Sequence, residues 1–139
     1  MHARRRFLVI DSFEEMRLLV VRTLKRVFPQ GEFTEAHDFE EALRLATTGH
    51  YDAIVVHRPI GADATTMIRS IREHMTTVPI VSVSSIDRTD AVIAAGANVF
   101  LNFEEWLRVG TVVAELLART PENRTRTPEN RTRVAEPQV

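Results

Sequence analysis

From residue 5 onward, short apolar runs alternate with stretches in which apolar side chains recur every three or four positions. Runs with both faces apolar predict buried strands, and the three-to-four periodicity predicts amphipathic helices. Phe7 to Ile10 is the first such run. Ser12 and Glu15 have the spacing of a capping box, which predicts that Ser12 opens a helix. Its apolar stripe is Met16, Leu19, Val20, Thr23, Leu24 and Val27, and Pro29 and Gly31 stop it. Glu32 to Ala36 is a more polar run, as expected at a sheet edge. Asp38 caps a second helix that turns Ala42, Leu45 and Ala46 inward and ends at Gly49.

Ala53 to Val56 is the third strand, and Pro59 and Gly61 form the turn after it. A helix from about Asp63 to His74 buries Met67, Ile68 and Ile71. Pro79 to Val83 is the fourth strand, with its proline where a missing N–H matters least. A short helix from about Thr89 to Ala95 ends at Gly96, and Val99 to Leu101 is the fifth strand. The last helix, from about Glu104 to Arg119, is opened by Trp106 and presents Leu107, Val113, Leu116 and Leu117. Gly110 inside it is unfavourable by about 1 kcal/mol relative to alanine.

Five strand–helix units with mostly apolar strands predict an α/β fold. The expected form is a doubly wound five-stranded parallel sheet, order 2-1-3-4-5, with helices on both faces. In such sheets the functional crevice lies beyond the carboxyl ends of the strands. The residues there are Asp11, Ser12, His57, Ser84, Ser85, Asn102 and Phe103. The pattern places one domain over residues 1–119. Residues 120–139 hold a tandem repeat, Thr120 to Arg126 and again Thr127 to Arg133, with few apolar side chains. Such a segment buries too little to offset its ordering entropy and reads as a disordered tail, either a linker or an arginine-bearing tether.

Composition narrows the chemistry. With no cysteine in 139 residues, disulfides, thiolate metal sites and thiol nucleophiles are excluded. The net charge of −1 gives no global field for nucleic acid, so nucleic acid is not expected as a partner. No apolar run approaches the roughly 20 residues of a membrane span. The run after the basic start Arg4-Arg5-Arg6 is too short for a signal-peptide core, so the expected location is cytoplasmic. Of the 18 basic residues, Lys25 alone is lysine. No nucleophile–base–orienter set and no glycine-rich phosphate loop stand out, so the chain is not expected to be an enzyme.

Several segments resemble the receiver domains of two-component response regulators, including the chemotaxis regulators. Phe7 to Ser12 with Met16-Arg17 is similar to the first strand and acidic pair. Glu35 to Leu43 resembles the second strand and helix, and Tyr51 to Val56 the strand that carries the phosphorylated aspartate. Val78 to Val81 and Gly96-Ala97 resemble the fourth strand and the entrance to the fifth. The resemblance spans residues 5–119 and implies a flavodoxin-like fold and a phosphorelay role.

It also implies a site in which two acidic residues hold Mg²⁺, an aspartate takes the phosphoryl group, a hydroxyl bonds it and a lysine pairs with it. Here Asp11 keeps the first acidic position and Ser12 replaces the second. His57 stands at the phosphoacceptor position, Ser84 at the hydroxyl position, and Phe103 or, with one gap, Asn102 at the lysine position.

The expectation is therefore a degenerate pocket of Asp11, Ser12, His57, Ser84, Asn102 and Phe103. Mg²⁺ binding should be lost or weak, with Asp11 the one ligand if any, and no other cofactor is expected. His57 is expected to pair with Asp11; a pH-sensitive switch, a phosphohistidine and a two-ligand metal site are the alternatives. Phe100 matches the family's reorienting aromatic. Trp106 is either core or an anchor on a docking face. The expected function is that of a stand-alone pseudo-receiver that docks to a histidine kinase or another signalling protein, with a homodimer as an option. The competing readings are a conventional or unconventional phosphorelay regulator and a small-ligand or pH sensor using the crevice.

Overall fold

The computed structural model describes residues 4–119. The predicted tail at 120–139 lies outside the described residues. Strands β1 (Arg6–Ile10), β2 (Glu32–Ala36), β3 (Ala53–Val56), β4 (Ile80–Ser84) and β5 (Val99–Asn102) alternate with helices α1 (Glu14–Val27), α2 (Phe39–Thr48), α3 (Ala64–Arg72), α4 (Thr89–Ala95) and α5 (Val109–Leu117). The strands form one parallel sheet in the order β2-β1-β3-β4-β5. The three central strands are buried on both faces because helices cover both, which is why they read as unbroken apolar runs. β2 alternates more weakly and sits at an edge.

Two apolar layers flank the sheet. Val20, Val21 and Leu24 of α1 pack with Val109, Val112, Val113 and Leu116 of α5 against Phe7, Val9, Val55, Val81 and Val83. On the other side Ala42 and Ala46 of α2, Met67, Ile68 and Ile71 of α3, and Val92 and Ile93 of α4 cover Leu8, Ile10, Ile54, Val56 and Ile80. Ser82, fully buried in β4, holds a hydroxyl with no hydrogen-bond partner.

Asp38 and Asp63 cap α2 and α3 by accepting from Glu41 N and Thr66 N. Ser12 does not cap α1. That helix begins at Glu14 with Phe13 as its N-cap and no side-chain cap bond. The reason is tertiary: Ser12 N–H donates to Arg58 O at 2.7 Å, while Asp11 Oδ1 accepts from Phe13 N at 3.0 Å. Those bonds hold Ser12 in the loop, one residue too early to cap.

The last helix also differs. Phe103–Arg108 is a 3₁₀ turn with a kink at Glu105, and α5 begins only at Val109. Trp106 lies inside that turn rather than at the start of an α-helix. Leu107, expected in the core, is 59% exposed, because its carbonyl, not its side chain, meets α1 through Thr23 Oγ1. Gly110 has a use that propensity does not reveal. A Cβ there would lie 2.6 Å from Thr23 O, so the bare glycine lets α5 close onto α1.

At the amino end of the sheet, Arg72 ties three elements together. It donates to Gly96 O, Met75 O and Asn98 Oδ1, and the Asn98 oxygen also accepts from Ile80 N. Burial lowers the Arg72 pKa below the ordinary guanidinium value, and these oxygens compensate for the lost water.

Candidate functional site

The crevice at the carboxyl ends of β1, β3 and β5 brings Asp11, His57 and Phe103 together. The β1–β3 register aligns Ile10 with Val56, so Asp11 and His57 leave adjacent strands side by side. His57 N–H continues the ladder to Ile10 O at 2.9 Å. His57 Nδ1–H donates to Asp11 Oδ2 at 2.7 Å; a carboxylate oxygen only accepts, so Nδ1 carries the proton. Asp11 is 1% exposed and His57 7% exposed. Phe103 lies over the imidazole, with ring centroids 4.9 Å apart and planes 19° from parallel. Its ring closes the pocket where the resemblance implied a cation.

Both Asp11 oxygens are committed, Oδ2 to His57 and Oδ1 to Phe13 N. The Asp11 backbone is held as firmly. Its N–H donates to Ala36 O at the end of β2, and its carbonyl accepts from Arg17 Nη1, whose Nε pairs with Glu35 at 2.7 Å. The loop after β3 lies across the ends of β1 and β2. Arg58 O takes Ser12 N–H, Ile60 N–H donates to His37 O, and Ile60 O takes Phe39 N–H.

The remaining expected residues are near the crevice but occupied locally. Ser84 Oγ accepts from Ile86 N at 3.1 Å in a turn after β4. Asn102 ends β5 and turns its amide oxygen to Glu104 N, so Phe103, not Asn102, meets His57. Phe100 packs, half-buried, against the α2–α4 layer. Trp106 is half-buried in the 3₁₀ turn. Among the described residues, one group of three His/Asp/Glu side chains has ligand atoms mutually within 4.8 Å: His37, Asp38 and Glu41, at the β2–α2 corner.

Sequence reasoning identifies Phe103 as a substitution but not as the lid over His57. It also misses the rim. Phe13, Ile60 and Ile86 stand 49%, 58% and 60% exposed on the loops after β1, β3 and β4. No periodicity signals loop residues, so only the tertiary arrangement places them at this end of the sheet.

No family model and no curated protein match this chain. Solved structures do. A candidate response regulator from Chloroflexus aurantiacus superposes with a TM-score of 0.75 at 25% identity, covering 84% of this chain and all of its own. The signal receiver domain of NarL from Mycobacterium tuberculosis gives 0.75 at 20% identity over 86% of this chain and 100% of that one. The chemotaxis response regulator CheY4 of Vibrio cholerae gives 0.67 at 21% identity over 80% and 99%. Among the described residues no helix is long and apolar enough to cross a membrane. The fold of this chain is that of the receiver domains of response regulators.

Proposed function

We propose that the chain is a two-component signalling domain in which a closed aromatic plug replaces the phosphoryl switch, and that it acts by docking to a histidine kinase or another signalling protein. The carrying observation is the stacked, hydrogen-bonded set Asp11–His57–Phe103 at the end of β1, β3 and β5. An aspartyl phosphoacceptor presents a carboxylate; His57 instead presents an imidazole whose Nδ1 faces Asp11 and whose ring is covered. Mg²⁺ requires several oxygen ligands in an octahedron. The one buried carboxylate here has both oxygens engaged, and Ser12 contributes no charge. This donor set does not fit the ion, and Phe103 supplies no cation to neutralise a transferred phosphoryl. On this reading the domain is not an enzyme, and the pocket's role is to fix the loops around it.

The test is a titration of the protein with Mg²⁺ and then beryllofluoride, followed by amide shifts of Asp11, His57 and Phe103. The expected result is no saturable shift at millimolar Mg²⁺ with or without beryllofluoride. A saturable response, or an acid-labile phosphoryl adduct in the crevice by mass spectrometry, would return the chain to the conventional phosphorelay.

A further inference from the structure

We propose that the tandem repeat, residues 120–133, docks onto the groove between α4, β5 and α5 of its own chain. The lining includes none of Asp11, His57 and Phe103, so its occupancy does not depend on the reading of that pocket. The groove encloses about 310 Å³. Val99, Phe100 and Leu101 of β5 and Val112 and Leu116 of α5 are its apolar lining, and Thr89 belongs to α4. Glu105, Arg108, Glu115 and Arg119 supply its charges. Glu105 pairs with Arg108 at 2.8 Å, whereas Glu115 is exposed and forms no ion pair among the described residues. Arg119, the last described residue, is part of the wall, so Thr120 starts at the groove itself.

Charge and reach select the occupant. Within two residues of the lining stand Asp87, Asp90, Glu104, Glu105 and Glu115 against Arg88, Arg108 and Arg119, an excess of carboxylates. Asp63 offsets Arg88 further. The repeat carries Arg124, Arg126, Arg131 and Arg133 against Glu122 and Glu129, an excess of cations. Arg119 also lines a groove at the amino end of the sheet, which adjoins a second through His50 and Asp52. Counted the same way, those two hold Arg4, Arg5, Arg6, Lys25, Arg26, Arg72 and Arg119 against Glu32, Asp52, Glu73 and Glu115. They repel the repeat, while the α4–β5–α5 groove attracts it. From Arg119 to Glu105 the groove follows α5 and the 3₁₀ turn for about 20 Å, at rises of about 1.5 and 2.0 Å per residue. A seven-residue repeat extends to at most about 25 Å, so the first covers that length and the second can reach Asp87 and Asp90. A separate basic partner would match the same charges, but the repeat is tethered at the edge, with an effective concentration on the order of millimolar.

The experiment is paramagnetic relaxation in the full chain. The chain has no cysteine, so Asn130→Cys takes a single nitroxide label in the second repeat. The amides of Thr89, Phe100 and Glu105 are expected to lose signal selectively, while those of His50, His74 and Thr77 keep theirs. Raising salt from about 0.1 M to about 1 M shortens the screening length from about 10 Å to about 3 Å and should restore the lost signals. Glu105→Arg with Glu115→Arg, both on exposed side chains, should restore them at low salt as well. Adding Arg124→Glu, Arg126→Glu, Arg131→Glu and Arg133→Glu to that variant should bring the loss back, because both surfaces are then reversed. Circular dichroism confirms that each variant is folded. Signal loss that is equal at the amino end, loss confined to the neighbours of Arg119, or loss indifferent to salt and charge reversal each overturns the proposal. So does loss that arises only between chains, when isotope-labelled chains without the nitroxide are mixed with nitroxide-labelled ones, since the occupant is then a second copy.

Discussion

Replacing His57 by leucine tests how much of the site's order rests on the Asp11–His57 bond. Leucine fills much of the space of the imidazole, so the cavity term is small. What remains is a carboxylate 1% exposed, with Oδ2 stripped of its only hydrogen bond. Removing one member of a buried pair costs about 3–5 kcal/mol, and loss of an offset ring stack adds about 0.5–1.5 kcal/mol. Asp11 keeps Phe13 N on Oδ1, which places the expected loss for His57→Leu near the low end, about 3 kcal/mol.

In an Asp11→Asn background the same replacement strands a neutral amide instead, and its cost falls to about 1–2 kcal/mol. The cycle should therefore show a coupling of about 2 kcal/mol. Urea unfolding of the four proteins, followed by the fluorescence of Trp106, the single tryptophan, measures it. Effects that add to within about 0.5 kcal/mol would refute the claim that this bond organises the crevice.

Other expectations follow from contacts outside the pocket. Gly110→Ala should lower stability by about 1–3 kcal/mol in a thermal melt despite alanine's better helix propensity, because its Cβ would meet Thr23 O and Val27 Cγ2 at 2.6 and 2.9 Å. Gly96→Ala should lose about 2 kcal/mol or more, since Gly96 has φ +125° and a Cβ would lie 2.5 Å from Arg72 Cγ. Ser82→Ala should raise stability by about 1 kcal/mol in urea by removing a buried hydroxyl without a partner. Hydrogen bonds from Thr66 hold the Asp63 carboxyl below its ordinary value of 3.8. A depressed carboxyl stabilises the fold above its unfolded pKa, and that contribution is lost as pH falls through the folded one. Asp63→Ala should therefore be less stable than wild type near neutrality and show a shallower loss of stability on acidification below 3.8; parallel stability–pH curves would contradict this.

The amino-acid sequence by itself determined the five strand–helix units, the 2-1-3-4-5 order, the capping by Asp38 and the meeting of Asp11 with His57. These follow from local periodicity, short-range capping and the alignment of neighbouring strand ends, all of which depend on residue spacing. Tertiary structure decided which helix end Ser12 serves, where α5 begins and what Phe103 does. Ser12 had a capping pattern, but a backbone bond from a loop 46 residues away along the chain claimed it first. Leu107 had helical spacing, but the approach of α5 to α1 through Gly110 set the local winding and turned the side chain outward. Phe103 and the rim of Phe13, Ile60 and Ile86 carry no signal of their own, because their meaning comes from loops that only the closed sheet brings together. Local patterns specify elements through interactions a few residues apart, whereas a site is made by contacts whose partners are fixed only when the whole sheet has formed.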